Sequence, residues 1–263
     1  KGWYNSVMAR GDAVIANSHF ICGLIEDRHP FAKGKITVIQ RGSDLKGLLP
    51  DNVSALRLQA LKDQWGIPMG RPILLNMARL TAWKGQRVVI EAMALLQDRL
   101  PSDPIAILAG DAQGRDGYLA ELKKLIADNG LQDKVRIVGH CADVPAAMAL
   151  ADIAIVASVE PEAFGRAAVE AQAARVPVIV SNLGAVPETV LSPPDAAESE
   201  RTGWRVAPGD PQALADAIVR VLGQDVDEKN KMADRALAHV RQNFSVETMC
   251  ARTLGVYAGL LGT

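Results

Sequence analysis

Short apolar runs alternate with longer stretches of helical periodicity along most of the chain. The runs are Ala13–Ala16, Ile36–Ile39, Ile73–Ala78, Ile105–Ala109, Val135–Val138, Ile153–Ala157, Pro177–Val180 and Trp204–Val206. Most lack the polar residue at every second position that a half-exposed strand shows, and they read as parallel strands covered on both faces. Helical stretches separate them: Gln86–Gln97, Tyr118–Asn129, Val144–Leu150, Phe164–Ala174 and Pro187–Leu191, with Pro211–Leu222 after the last strand. In Gln86–Gln97, the residues Val88, Val89, Ala92, Leu95 and Leu96 share one face. Gly130 marks a helix end, and Asp210-Pro211 a helix start with a capping side chain and a proline in the first turn. This rhythm predicts an α/β fold built on a doubly wound parallel sheet.

Both ends depart from the rhythm. Arg41 to Gly70 carries Gly42, Gly47, Pro50, Gly66, Pro68 and Gly70 around one predicted helix, Ser54–Trp65, and reads as a connecting segment. Residues 1–40 are then a small strand–helix unit, too short to bury a core alone. Ser192–Arg201 reads as a polar surface loop, and the chain from about Val226 as a pair of helices. The sequence opens Lys1-Gly2-Trp3 without methionine, as expected of a piece of a longer protein.

Composition narrows the partners. The 263 residues carry 29 Lys+Arg against 30 Asp+Glu, a net charge of −1, and so lack the positive footprint of a nucleic-acid binder. Aromatic residues make up only 4%, too few for a platform that stacks single-stranded bases. Cys22, Cys141 and Cys250 are scattered with no C-x-x-C and read as reduced thiols of a cytoplasmic protein. The four histidines, His19, His29, His140 and His239, show no metal-ligand spacing. No apolar run approaches the roughly 20 residues of a membrane span.

Parallel sheets bind ligands at the loops that follow their strands, and four such loops carry polar residues. The first, Arg79-Leu80-Thr81-Ala82-Trp83-Lys84-Gly85, sets two cations around a turn that opens a helix, a combination suited to a diphosphate or, failing that, an ordinary solvated loop. The second, Gly110 to Gly117, matches neither G-x-G-x-x-G nor the P-loop, which leaves Gly110 as its candidate contact. The third is Val138-Gly139-His140, where Gly139 lets a planar base approach the backbone; His140 is either a stacking partner or an ordinary polar loop residue. The fourth, Glu160 to Ala171, holds two carboxylates, Glu162 before a helix and Glu170 within it. Eight residues of helix put them about 12 Å apart along the axis. That exceeds the roughly 5–9.5 Å pair of a glycoside hydrolase and suits two contacts on one extended ligand: Glu162 on sugar hydroxyls, Glu170 on a ribose. The backbone of Ala163, Phe164, Gly165 and Arg166 would face phosphate between them. Glu170 is flanked by Ala167, Ala168, Val169 and Ala171, and a carboxylate among apolar neighbours is costly unless satisfied.

Taken together, Ala78-Arg79-Leu80…Lys84-Gly85, Gly110-Asp111, Val138-Gly139-His140, the Glu162-x(7)-Glu170 pair with Phe164-Gly165, and Gly184-Ala185-Val186-Pro187-Glu188 resemble the retaining glycosyltransferases of family 4, which have the GT-B fold. The resemblance covers nearly the whole chain. It implies residues 1–44 as a remnant of an N-terminal acceptor lobe with the interlobe connection, 45–244 as a Rossmann-like nucleotide-sugar-binding lobe, and 245–263 as a helix crossing back. It implies transfer of a sugar from a UDP-sugar or GDP-sugar to a carbohydrate or glycolipid acceptor, as in lipopolysaccharide or polysaccharide biosynthesis, with retention and no cofactor or metal. Arg79, Lys84 and Glu162 would be the catalytic group, Glu170 the ribose contact, and Val138, Gly139 and His140 the nucleobase contacts. No D-x-D pair falls on any of these loops. The location implied is cytoplasmic, with any peripheral membrane contact made at the inner face by the N-terminal lobe. Two positions depart from the family pattern: Ala185 replaces a second glycine, and Arg166 replaces an apolar residue. A non-catalytic nucleotide-sugar-binding module and a GT-B epimerase fit the same motifs. A nicotinamide-dependent oxidoreductase does not, since the G-x-G-x-x-G turn is missing.

Overall fold

A computed structural model of the chain describes residues 6–262; Lys1–Asn5, including the Lys1-Gly2-Trp3 opening, and Thr263 lie outside the described residues. At the N-terminal side β1 (Val14–Ala16) and β2 (Ile36–Val38) pair in parallel, with α1 (His19–Arg28) between them in sequence. The other six strands form one parallel sheet: β3 (Ile73–Met77), β4 (Ile105–Ala109), β5 (Val135–Gly139), β6 (Ile153–Val156), β7 (Val178–Ser181) and β8 (Trp204–Val206). Their order is β5-β4-β3-β6-β7-β8. The helices α2 (Ala55–Trp65), α3 (Gln86–Leu95), α4 (Asp116–Asp128), α5 (Val144–Leu150), α6 (Arg166–Ala173), α7 (Val186–Thr189) and α8 (Pro211–Leu222) accompany it, followed by α9 (Val226–Asn243) and α10 (Val246–Leu261).

The continuous apolar runs follow from burial on both faces. Successive strand residues point to opposite sides, so Leu74, Leu108, Ile155 and Ile179 meet Val89 and Met93 of α3, Leu122 of α4 and Ile218 of α8. Their neighbours Leu75, Ile107, Ala154 and Val178 meet Leu61 and Trp65 of α2, Met148 of α5 and Ala168 and Ala171 of α6. Each fully buried leucine or isoleucine contributes about 1.5–3 kcal/mol, and a polar residue every second position would forfeit one whole face.

Several boundaries differ from those the sequence predicts. The predicted helix Phe164–Ala174 begins two residues later, at Arg166, because Gly165 takes a left-handed φ of +92° as its N-cap. The helix predicted over Pro187–Leu191 is the single turn Val186–Thr189. β5 runs through Gly139, so that residue ends a strand and does not open the loop. The segment from Arg41 to Gly70 is more than a connection. Leu45 and Leu48 are buried with Phe164, Val169, Val240 and Phe244 in a third apolar cluster. Trp65 belongs to the main core. Two segments distant in sequence run side by side here: the Ser43 N–H donates to the Phe244 carbonyl at 2.9 Å and Ser43 pairs with Ser245. Among the described residues no helix is long and apolar enough to cross a membrane, and all three cysteines are free.

Candidate functional site

The strand order reverses direction between β3 and β6: the chain adds β4 and β5 on one side and β7 and β8 on the other. In parallel sheets, ligands bind at such a switch point, outside the carboxyl ends of the two central strands. Both loops that follow these strands carry candidate residues, and the pairing of β3 with β6 brings them side by side.

After β3 the chain exposes Arg79, then makes a 3₁₀ turn over Ala82–Lys84 that ends on Gly85. Gly85 has φ +71°, and a Cβ there would lie 1.8 Å from the Ala157 carbonyl oxygen. Only glycine lets this turn rest against the end of β6. The Val159 N–H donates to the Trp83 carbonyl at 2.8 Å and stitches the two loops together. Lys84 Nζ consequently sits 2.7 Å from Glu162 Oε1, with both side chains largely buried at 16% and 11% exposure. The ammonium also lies 4.4 Å from the centroid of the Trp83 ring, a cation–π contact. The Ser158 hydroxyl donates to the same Glu162 oxygen. Behind this pair the Glu162 carbonyl accepts the Ala185 N–H at 2.9 Å, and Glu162 bridges to Gly184.

From Glu162 the chain passes Ala163, buries Phe164 edge-on against Phe244 at 5.6 Å between centroids, and enters α6. Among the described residues, the amides of Phe164, Gly165, Arg166 and Ala167 donate to no backbone or side-chain acceptor. A helix start with free amides and a positive dipole end is an anion seat, here one step from the Lys84–Glu162 pair. Because α6 begins only at Arg166, four residues of helix, not eight, precede Glu170.

Glu170 lines a separate cleft of about 490 Å³ with Arg166, Arg41, Asp44, Val144 and Pro145. Burial raises its pKa above the ordinary 4.5, with Arg166 opposing the shift. One wall is fixed by Asp143, which caps α5 through the Ala146 N–H at 3.0 Å. Asp143 is held below the usual carboxylate range chiefly by its hydrogen bonds from Arg57. A carboxyl whose folded pKa is raised stabilises the fold when protonated and loses that contribution as pH rises. Glu170→Gln should therefore melt at a higher temperature than the parent near pH 7, and the gap should close as pH falls below the ordinary value of 4.5. Thermal melts from pH 4 to 8 test this; a lower melting temperature for the variant at pH 7 contradicts it.

The remaining predicted residues gather further along the same edge. The Gly110 N–H donates to the Gly139 carbonyl at 2.7 Å, and a Cβ on Gly110 would lie 1.8 Å from the Ala78 carbonyl. Arg79 and His140 are exposed, Val138 is half-buried. Gln86, fully buried, donates to the Arg79 carbonyl at 3.0 Å and fixes that backbone. The candidate residues thus fall into three groups: Lys84 with Glu162 and the α6 amides, Glu170 with Arg166, and Gly110 with Gly139 beside Arg79. Sequence reasoning missed Ser158, Trp83 as a partner of Lys84, and Arg41. Ser158 lies four residues before Glu162 in a loop with no periodicity to expose it. Of the two departures, Ala185 has φ −87° and needs no glycine, while Arg166 is exposed and faces the Glu170 cleft. Among the described residues, no group of three or more His, Cys, Asp or Glu is placed to hold a metal ion.

The six-stranded parallel sheet flanked by helices matches Rossmann-like glycosyltransferase structures of the GT-B type. A family model for glycosyl transferases group 1 matches residues 59–239, well over half of the chain. The chain belongs to this family. It is 29% identical over 266 residues to the lipopolysaccharide core biosynthesis mannosyltransferase LpsB of Rhizobium meliloti, covering 99% of this chain and 69% of that protein. It is 30% identical over 226 residues to the D-inositol 3-phosphate glycosyltransferase of Corynebacterium glutamicum, 85% of this chain and 51% of that one. Thus the chain spans about half to two thirds of the length of these curated relatives. Among solved structures, a glycosyltransferase from Rickettsia africae is 33% identical with a TM-score of 0.88, covering 98% of this chain and 66% of the other. Anabaena HepE in complex with UDP-glucose is 29% identical with a TM-score of 0.80, covering 98% and 66%.

Proposed function

We propose that this chain is the donor-binding part of a retaining family 4 glycosyltransferase, moving a hexosyl group from a UDP-sugar or GDP-sugar to a carbohydrate or glycolipid acceptor without a metal. The observation that carries the reading is the Lys84–Glu162 contact of 2.7 Å beside the free amides of α6. The HepE complexes with UDP and with UDP-glucose support a nucleotide-sugar donor, and the LpsB relative supports a hexose and a lipid-linked acceptor. Residues 45–244 serve as the donor lobe, 1–44 and 245–263 as its links to the acceptor lobe.

In this reading the Lys84–Glu162 pair is the resting arrangement. The donor diphosphate takes over Lys84, joins the α6 amides and draws in the exposed Arg79 guanidinium, which frees Glu162 for hydroxyls of the transferred sugar. Glu170 accepts from the ribose diol, and the backbone at Gly110, Val138, Gly139 and His140 meets the base. The bond from the anomeric carbon to the diphosphate breaks with its electron pair going to phosphate. The acceptor hydroxyl bonds to that carbon on the same face and gives its proton to the leaving phosphate oxygen. Negative charge grows on the diphosphate, where fixed cations and amides stabilise it most in the transition state. They occupy the role a divalent metal plays elsewhere.

Mass-spectrometric screening of sugar donors with the full-length protein tests the assignment. We expect one UDP- or GDP-sugar to yield glycosylated product at a rate unchanged by EDTA. A rate abolished by EDTA and restored by a divalent cation removes the metal-free part. NAD binding without nucleotide-sugar binding removes the whole reading.

A further inference from the structure

The Glu188 carboxylate spans from the donor lobe to the N-terminal unit. Its Oε2 accepts the His19 N–H at 2.8 Å and its Oε1 the Phe20 N–H at 2.7 Å. Ser18, the N-cap of α1, accepts the Ile21 N–H at 3.1 Å. The first three amides of α1 are thus engaged, two of them by a residue nearly 170 positions away. Charge-assisted bonds to a helix start, aligned with its dipole, are the strong kind. A side chain placed only for solubility has no reason to make both.

Glu188 lies on α7, and α7 is built against the donor loop. Ala185, directly before α7, donates its N–H to the Glu162 carbonyl at 2.9 Å. A Cβ on Gly165 would lie 3.0 Å from Val186 Cγ2, so the start of α6 and α7 touch without slack. Gln172 of α6, fully buried, donates to the Thr189 carbonyl at 2.8 Å and ties the far end of α7. A rigid path therefore runs from the α1 amides through Glu188 and Ala185 to Glu162. It runs through packed backbone, where a shift at one end cannot be absorbed locally.

We propose that Glu188 is a positioning residue: it clasps the N-terminal unit to α7 and thereby sets Glu162 against the donor sugar. The inference rests on the donor-site reading above but adds a residue to which that reading gives no role. It predicts that the position of α1 and the fit of the sugar are coupled, so that movement of the N-terminal unit is felt at Glu162.

Amide hydrogen exchange on the full chain, for the parent, Glu188→Gln and Glu188→Ala, tests the path without any ligand. Losing charge-assisted bonds should speed exchange of the His19, Phe20 and Ala185 amides about tenfold or more in Glu188→Ala. Glu188→Gln, keeping one acceptor oxygen, should fall between. Unchanged protection of Ala185 in both variants overturns the proposal. Titration with UDP-glucose against UDP, and GDP-mannose against GDP, supplies the second arm. Glu188→Ala should erase the preference for the sugar nucleotide while changing affinity for the bare diphosphate less than about threefold. Equal losses for both ligands mean a structural role only and overturn the positioning role. If the parent binds none of the four nucleotides, the donor-site reading fails, and the Ala185 exchange rates still decide whether the clasp exists.

Discussion

Lys84→Met should lower transfer by the full-length protein about 100- to 1000-fold, as removal of a preorganised charge from a developing anion does elsewhere. It should also lower stability, for a separate reason. Glu162 is only 11% exposed and Lys84 Nζ is its ionic partner, so the variant strands a carboxylate whose remaining side-chain donor, among the described residues, is the Ser158 hydroxyl. Stranding one half of a largely buried pair costs about 3 kcal/mol. The two effects separate in a double variant. Lys84→Met with Glu162→Gln removes both charges and should regain most of the lost stability while transfer stays low. Chemical denaturation of the single and double variants, beside initial rates, tests the claim. A single variant as stable as the parent contradicts the buried pair, and a double variant that regains transfer contradicts the catalytic role.

Gly85→Ala should be the most damaging single-methyl change at the site. The added Cβ lands 1.8 Å from the Ala157 carbonyl oxygen and 2.7 Å from its carbon, at φ +71°. Strain at the dihedral and displacement of the loop from β6 each cost about 1–3 kcal/mol. For a chain of this size each kcal/mol is about 2–4 °C of melting temperature, so a fall of about 6 °C or more is expected. The control is Gly66→Ala, at φ +61° with nothing within 4 Å of the added carbon, which carries only the dihedral cost of about 1–2 kcal/mol. Equal losses for the two would show that contact with Ala157 does not hold the loop. Because this contact also seats Lys84 beside Glu162, donor affinity should fall in Gly85→Ala and stay unchanged in Gly66→Ala.

These two changes show what the sequence makes legible and what it hides. The six-stranded sheet is legible because strands such as Ile105–Ala109 are buried along their whole length, and burial on both faces leaves an unbroken apolar run. Glu170 is legible as a charge among apolar neighbours, and Glu162 as a carboxylate in the loop before that helix. The start of the helix that carries Glu170 is not legible: a single glycine, Gly165, delays it, and pattern alone does not mark a left-handed residue. The Lys84–Glu162 contact depends on β3 pairing with β6, and apolar alternation does not encode strand order. Ser158, Arg41 and Glu188 are silent for the same reason: their partners are brought by topology. Glu188 sits in a motif visible by eye, yet its partners are backbone amides, which carry no letter in a sequence.

The central claim is that Lys84, Glu170 and the start of α6 grip one donor molecule. Isothermal titration of UDP-glucose and GDP-mannose into the parent, Lys84→Met and Glu170→Gln measures it directly. The account predicts one-to-one binding of one donor by the parent and about tenfold or greater weakening in each variant, since each loses a charged hydrogen-bond partner. Affinity unchanged in both variants would place the donor elsewhere and contradict the account.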